Sequence, residues 1–246
     1  MKLGNVLPLL ILLLSSRSAL ADDKQQDLPY DPTSAYREEK IEGWLIRVNK
    51  KLDVSDNIDL RDKTLKLLGD HLYRITREIP EEALAKLRKI PIWVELAHPK
   101  HPCMCYHPGA RWLKANGMNP EKAKGVELSN CKNFLEWTHQ QPWMVFHELA
   151  HGYHDQVLSF EHPGVKACFE AAKDAKIYDS VLRISGRKER HYALTNPMEY
   201  FAEMSEAYFG TNDFYPFVRS ELKEVDPRMA ELLQELWGVK EKTPAK

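Results

Sequence analysis

Phe146-His147-Glu148-Leu149-Ala150-His151 is the stretch on which the reading of this chain turns. Residues four apart lie on one face of an α-helix, so His147 and His151 can aim imidazole nitrogens at one point. Glu148 is rotated by ~100° from His147, which sets its carboxylate beside that point. Two neutral imidazoles and an adjacent acid are what a catalytic zinc requires: ligands, and a base for a water. Trp143, Phe146, Leu149, Ala150 and Tyr153 bury such a helix on more than one side. Pro142 suits its first turn, and the pattern carries it to about Leu158.

A catalytic zinc takes three protein ligands, so a third is expected downstream. The pattern HExxHxxGxxH would need a histidine where Val157 stands, and is excluded. His154 shares the helical face but lies ~10 Å along the axis from His147, so a supporting polar contact is expected of it instead. The segment Asn196 to Phe209 is strongly helical, opened by Asn196-Pro197. Glu199, Glu203 and Glu206 fall on one of its faces, among Tyr200, Phe201, Ala202, Met204, Ala207 and Tyr208, a poor solvated surface. Glu199 also fits a capping box with Asn196, and Glu203 and Glu206 also fit ordinary helix surface. Spacing alone leaves Glu199 and Glu203 equally good ligands.

Working outward, residues 22–35 read as an extended leader, punctuated by Pro29 and Pro32. Trp44, Ile46 and Val48 alternate as a strand, and Leu60, Thr64, Leu67, Leu68, His71, Leu72 and Ile75 form a helical stripe. Glu81 to Arg88 is a short helix after Pro80, and residues 91–96 a second strand. Strand, helix, strand implies a parallel pair with a right-handed crossover. Residues 97–124 form a loop rich in Pro, Gly, Cys and His. Val126-Glu127-Leu128 is half-polar and is expected at a sheet edge, where an extended peptide could pair. Gly164 to Lys176 and Asp179 to Ile184 read as helices, Gly186 to Arg190 as a turn, and Pro227 to Trp237 as a last amphipathic helix. Residues 240–246 read as a disordered tail.

The start has its own signature. Lys2 precedes the apolar run from Val6 to Leu14, and Ala19-Leu20-Ala21 offers a small-x-small cleavage site. The run is shorter than the ~20 residues of a spanning helix. Residues 1–21 are therefore expected to be a signal peptide cleaved after Ala21, of a secreted or periplasmic protein without a membrane span. Their loss takes Lys2 and Arg17 and no acid, leaving 33 basic and 36 acidic residues, net −3. Neither sign dominates, so no nucleic-acid partner is implied. Cys103, Cys105, Cys131 and Cys168 make an even set, which in an exported chain favours disulfides. Direct pairing of Cys103 with Cys105 is poor geometry, so each is expected to reach Cys131 or Cys168. A second metal site with His98, His101 and His107 is the rival reading.

His147-Glu148-x-x-His151 with a downstream glutamate helix resembles the glutamate-type zincin metallopeptidases, the gluzincins. More narrowly, Tyr192-Ala193-Leu194-Thr195-Asn196-Pro197-Met198-Glu199-Tyr200-Phe201-Ala202-Glu203 is similar to the lethal factor-like family, typified by the catalytic domain of anthrax lethal factor. The resemblance is sharp over 147–155 and 192–203 and architectural elsewhere. It implies Glu199 as third zinc ligand, Glu148 as general base and Tyr192 as the phenol that steadies an oxyanion. It also implies Glu203, and Asp155 after the motif, as groups orienting the zinc histidines. Gly152 departs from the pattern and could bend the helix. The implied fold is α+β and zincin-like: a small mixed sheet with the active-site helix, then a mainly helical lower subdomain, in one domain over 36–239. The implied activity is that of a zinc metallopeptidase acting on a peptide or protein. The alternative is a zincin-like zinc-binding protein without turnover.

Overall fold

Glu42 and Gly43, both at positive φ (50° and 93°), turn the chain between two antiparallel strands, β1 (Tyr36–Ile41) and β2 (Trp44–Asn49). A two-residue turn of this kind matches strand twist, and glycine tolerates the second position. This computed structural model describes residues 29–98, 101–102 and 104–240. The expected signal peptide, the first part of the leader, Cys103 and all but Lys240 of the expected tail lie outside them. Residues 29–35 are docked on the fold: Asp31 accepts from Asn49 Nδ2 (2.8 Å) and Lys51 Nζ (2.6 Å).

After β2 come α1 (Ile58–Glu78), α2 (Glu81–Leu87) and β3 (Ile92–Val94). β3 lies parallel to β2, as the crossover implies. The loop that follows yields β4 (Met104–Tyr106) and α3 (Ala110–Ala115), then β5 (Val126–Leu128) and α4 (Cys131–Trp137). The sheet order is β1-β2-β3-β5-β4, with β3 and β5 parallel and β4 antiparallel to β5. Val126-Glu127-Leu128 is thus interior, not an edge; the edge at this end is β4. The polarity that suggested an edge has another cause. Arg47, Trp93, Glu127 and Cys105 form one row across the sheet, on the face away from the main core. There Glu127 is fully buried in an ionic network.

Lys122 is the centre of that network. Its Nζ reaches Glu95 (2.5 Å) and Glu127 (2.7 Å), and His107 Nε2 meets the other oxygen of Glu127 (2.6 Å). Tyr36 donates its hydroxyl to Glu95. Burial raises the Glu127 pKa, but His107 and Lys122 outweigh it and hold the group down at about 2.

The other face carries Ile46, Val48, Ile92, Val94, Val126 and Leu128 into the core, against α1 and the motif helix α5 (Met144–Tyr153). α5 continues as a π-helical turn, His154–Leu158. Gly152 is there for close approach: a Cβ would sit 2.6 Å from Ile90 Cδ1 and 3.2 Å from the Tyr106 ring. The remainder is mostly helical: α6 (Pro163–Asp174), a small hairpin of β6 (Val181–Leu182) and β7 (Lys188–Glu189), α7 (Pro197–Phe209), α8 (Arg219–Val225) and α9 (Pro227–Leu236). The expected helix over Asp179–Ile184 is therefore strand and turn, reversed at Gly186 (φ 83°). Trp237 ties the lower helices to the motif helix, stacking on Tyr153 (4.2 Å between centroids) and Phe201 (5.8 Å) and tilting on Phe146 (5.4 Å). The small mixed sheet and helical lower half establish an α+β fold.

The expected disulfides to Cys131 and Cys168 do not form. Both are free thiols: Cys131 donates to the Glu95 carbonyl (3.0 Å), and Cys168 is buried on α6. Among the described residues, no helix is long and apolar enough to cross a membrane.

Two predictions follow from this packing. A carboxylate with a depressed folded pKa stabilises above its unfolded pKa and loses that contribution as pH falls through the folded one. Glu127 should therefore cost stability between pH 4.5 and about 2. Glu127→Gln should lower stability at neutral pH by about 2–3 kcal/mol, since Glu95 still holds Lys122, and flatten that acid limb. Urea denaturation across pH reads both. Gly210→Ala would place a methyl 1.9 Å from Trp143 Cε2, between the end of α7 and the start of α5. It should cost at least about 1–3 kcal/mol in thermal or chemical unfolding.

Candidate metal centre

His147 and His151 project from one face of α5, and α7 crosses that face with Glu199 in its first turn. Asn196 caps α7 by accepting from the Met198 (2.9 Å) and Glu199 (3.0 Å) amides. With the cap supplied by the asparagine, the Glu199 side chain is available to the histidines. Its Oε2 lies 3.0 Å from His147 Nε2 and 3.1 Å from His151 Nε2, and the two nitrogens are 3.1 Å apart. Spacing could not separate Glu199 from Glu203; the helix crossing puts Glu199 in this triangle.

The triangle fits a tetrahedral ion. Donors ~2.0 Å from such an ion stand ~3.3 Å from one another, and two imidazoles with a carboxylate are a usual zinc set. The electrostatics agree. Burial opposes charge on His147, yet Glu199, Glu206 and Glu203 outweigh it and push its pKa well above the ordinary imidazole range. Burial also raises Glu199, but the imidazoles overcome it and hold the carboxyl well below its usual range. The surroundings of the pair favour positive charge there.

Glu206 supports His147 from behind, accepting a hydrogen bond from its Nδ1 at 2.7 Å. Glu203, expected in that place, is 3.7 Å from the same nitrogen. The sequence showed Glu206 on the right face, but not that α7 turns this face inward. Asp155 does not reach the histidines. It accepts from the Tyr106 hydroxyl (2.6 Å) and Lys124 Nζ (2.5 Å), and so ties the motif helix to β4. His154 makes no hydrogen bond among the described residues. It is buried between Phe160 and Phe201 with neither nitrogen hydrogen-bonded, and burial drives its pKa down to about 4.

Glu148 sits beside the triangle, its Oε2 accepting the Tyr106 amide at 2.7 Å. The neighbouring amide of His107 turns towards β5, donating to Gly125 O, so Tyr106 N–H points off the outer edge of the sheet. Burial raises the Glu148 pKa. Tyr192 opens a 3₁₀ turn, Tyr192–Thr195, with its ring centroid 6.5 Å from that of His147. It is 47% exposed, and burial followed by Glu199 raises its phenol to about 12. It is a neutral donor facing open space. A cavity of about 220 Å³ borders His147, Glu148 and Tyr192.

A second cluster, Cys105, His107 and Glu127, also brings three ligand types together. Lys122 already neutralises Glu127 there, which opposes a further cation.

No family model matches the chain, and no curated protein does. Among solved structures, the PRO-PRO endopeptidase PPEP-2 from Paenibacillus alvei is similar at 19% identity, over 69% of this chain and 88% of that one, with a TM-score of 0.37. So distant a likeness has no bearing on chemistry, and the narrower resemblance to the lethal factor-like family gains no support from it. The geometry stands by itself: two imidazoles and a carboxylate converge within 3.1 Å, flanked by a half-buried acid and a phenol.

Proposed function

We propose that this chain is an exported zinc metallopeptidase with a zincin-like fold, in which His147, His151 and Glu199 hold the ion. The observation that carries the reading is the triangle of those three donors with Glu148 on one flank and Tyr192 on the other. Metal binding alone would need neither flanking group.

When bound, zinc would supply Lewis acidity, acidifying water and polarising a carbonyl. The chain's own residues account for the rest. Glu148, raised by burial, takes a proton from the attacking water and returns it to the leaving amine. The Tyr106 amide fixes the rotamer of that carboxylate. Tyr192 keeps its proton at neutral pH and donates to the oxygen that gains charge, a contact made mainly in the transition state. Glu206 accepts His147 Nδ1–H and so keeps Nε2 free as a ligand. The peptide would lie along the free edge of β4, beside Glu148, pairing its main chain with the outward groups of Met104 and the carbonyl of Tyr106. β5, between β3 and β4, has no free edge to offer.

Glu148→Gln should retain one zinc per chain and lose peptide cleavage by ~10²–10⁴-fold, whereas Glu199→Ala should lose the metal itself. Metal analysis beside a peptide-library digest, with and without chelator, reads both. Glu206→Ala strands the His147 Nδ1 proton and should weaken zinc ~10–100-fold in a chelator competition.

A further inference from the structure

The 220 Å³ cavity beside His147 holds one acid, Glu203, that the proposed chemistry does not use. Glu148, Glu203, Glu206 and Asp213 line it, and the adjoining cavity, which shares Glu203 and Asp213, adds Arg183 and Arg190. Three of these acids are committed: Glu206 to His147, Glu148 to the Tyr106 amide, and Asp213 to Arg183 (3.2 Å). Glu203 is not. It is 3% exposed, and its Oε2 is buried with no hydrogen-bond partner among the described residues.

Neither histidine beside it supplies one, and Arg183 is engaged with Asp213. His191 Nδ1 stands 3.8 Å from Glu203 Oε2, but it accepts the Ala193 amide at 3.1 Å and so turns a lone pair, not a proton, towards that side. His147 directs its Nδ1–H to Glu206. A buried carboxyl oxygen left without a partner is costly, so an orphan of this kind at a cavity wall calls for a ligand that can pair with it. Met104 and Met144 supply apolar wall to the same cavity. Apolar sides with acid at the base suit a long side chain that is aliphatic along its stem and cationic at its tip.

We propose that this cavity is a specificity pocket for an arginine or lysine side chain next to the scissile bond, with Glu203 as its counter-charge. The proposal deepens the peptidase reading and rests on it for the word scissile, but the pocket itself can be tested without turnover. Calorimetry on the zinc-loaded full chain should find n-butylguanidinium bound at least about tenfold more tightly than its neutral isostere n-butylurea. Glu203→Gln should bring the two towards parity. A digest of a peptide library by the wild-type chain should show arginine or lysine enriched at one position flanking the cut. Equal binding of butylguanidinium and butylurea by the wild type would overturn the proposal, whether or not the variant folds. So would a library cut without basic preference. Two zinc ions per chain, falling to one in Glu203→Gln, would also overturn it, by assigning the acids to a metal. Butylguanidinium bound over butylurea with no peptide cut would uphold the cation pocket and sink the peptidase reading instead.

Discussion

Carboxylates packed around a pair of facing imidazoles set the terms for the lower half of this molecule. Glu199 closes on both His147 and His151, Glu206 holds the far side of His147, and Glu203 stands just beyond. Burying that much like charge is unfavourable unless a cation is shared among the donors. The packing that fixes α7 across α5, with Trp237 wedged against Phe146, Tyr153 and Phe201, maintains the arrangement. A divalent ion would turn the mutual repulsion of these groups into coordination, so metal affinity and fold stability are coupled.

The sheet solves a different problem. Its edge strand must present backbone to the site while its outer face stays covered. The row Arg47, Trp93, Glu127 and Cys105 lies under the segment that carries Lys122, and the ion pairs of Lys122 fasten that segment down. Tyr106 then links both halves: its amide meets Glu148, and its hydroxyl meets Asp155 on the turn after α5. One residue of β4 thus positions the acid beside the metal triangle and is itself positioned by the end of the motif helix.

The motif was legible because its geometry is local: four residues of helix are enough to bring His147 and His151 together. Glu199 could be named as a candidate from its face of the helix, but its choice over Glu203 depends on a helix crossing that no spacing encodes. Glu206 was hidden for the same reason. The polar Glu127 misled in the opposite sense, since a buried ion network and a solvent-facing edge leave the same alternation in a short strand. Met104–Tyr106 was masked by the prolines and histidines around it, and three residues give a period-2 pattern little to show. The hairpin of Tyr36–Ile41 had a readable sign in Glu42-Gly43, a turn pair followed by the alternation of β2. Asp179–Ile184 was too short for its apolar residues to separate helix from hairpin.

The central claim is that the ion sits between His147, His151 and Glu199 and not at the sulfur-bearing cluster of Cys105, His107 and Glu127. Zinc-edge X-ray absorption on the protein loaded with one equivalent of zinc tests this most directly. The account predicts nitrogen and oxygen scatterers at ~2.0–2.2 Å, two of them imidazoles, and no sulfur. A sulfur shell at ~2.3 Å would contradict it and move the metal to the far face of the sheet.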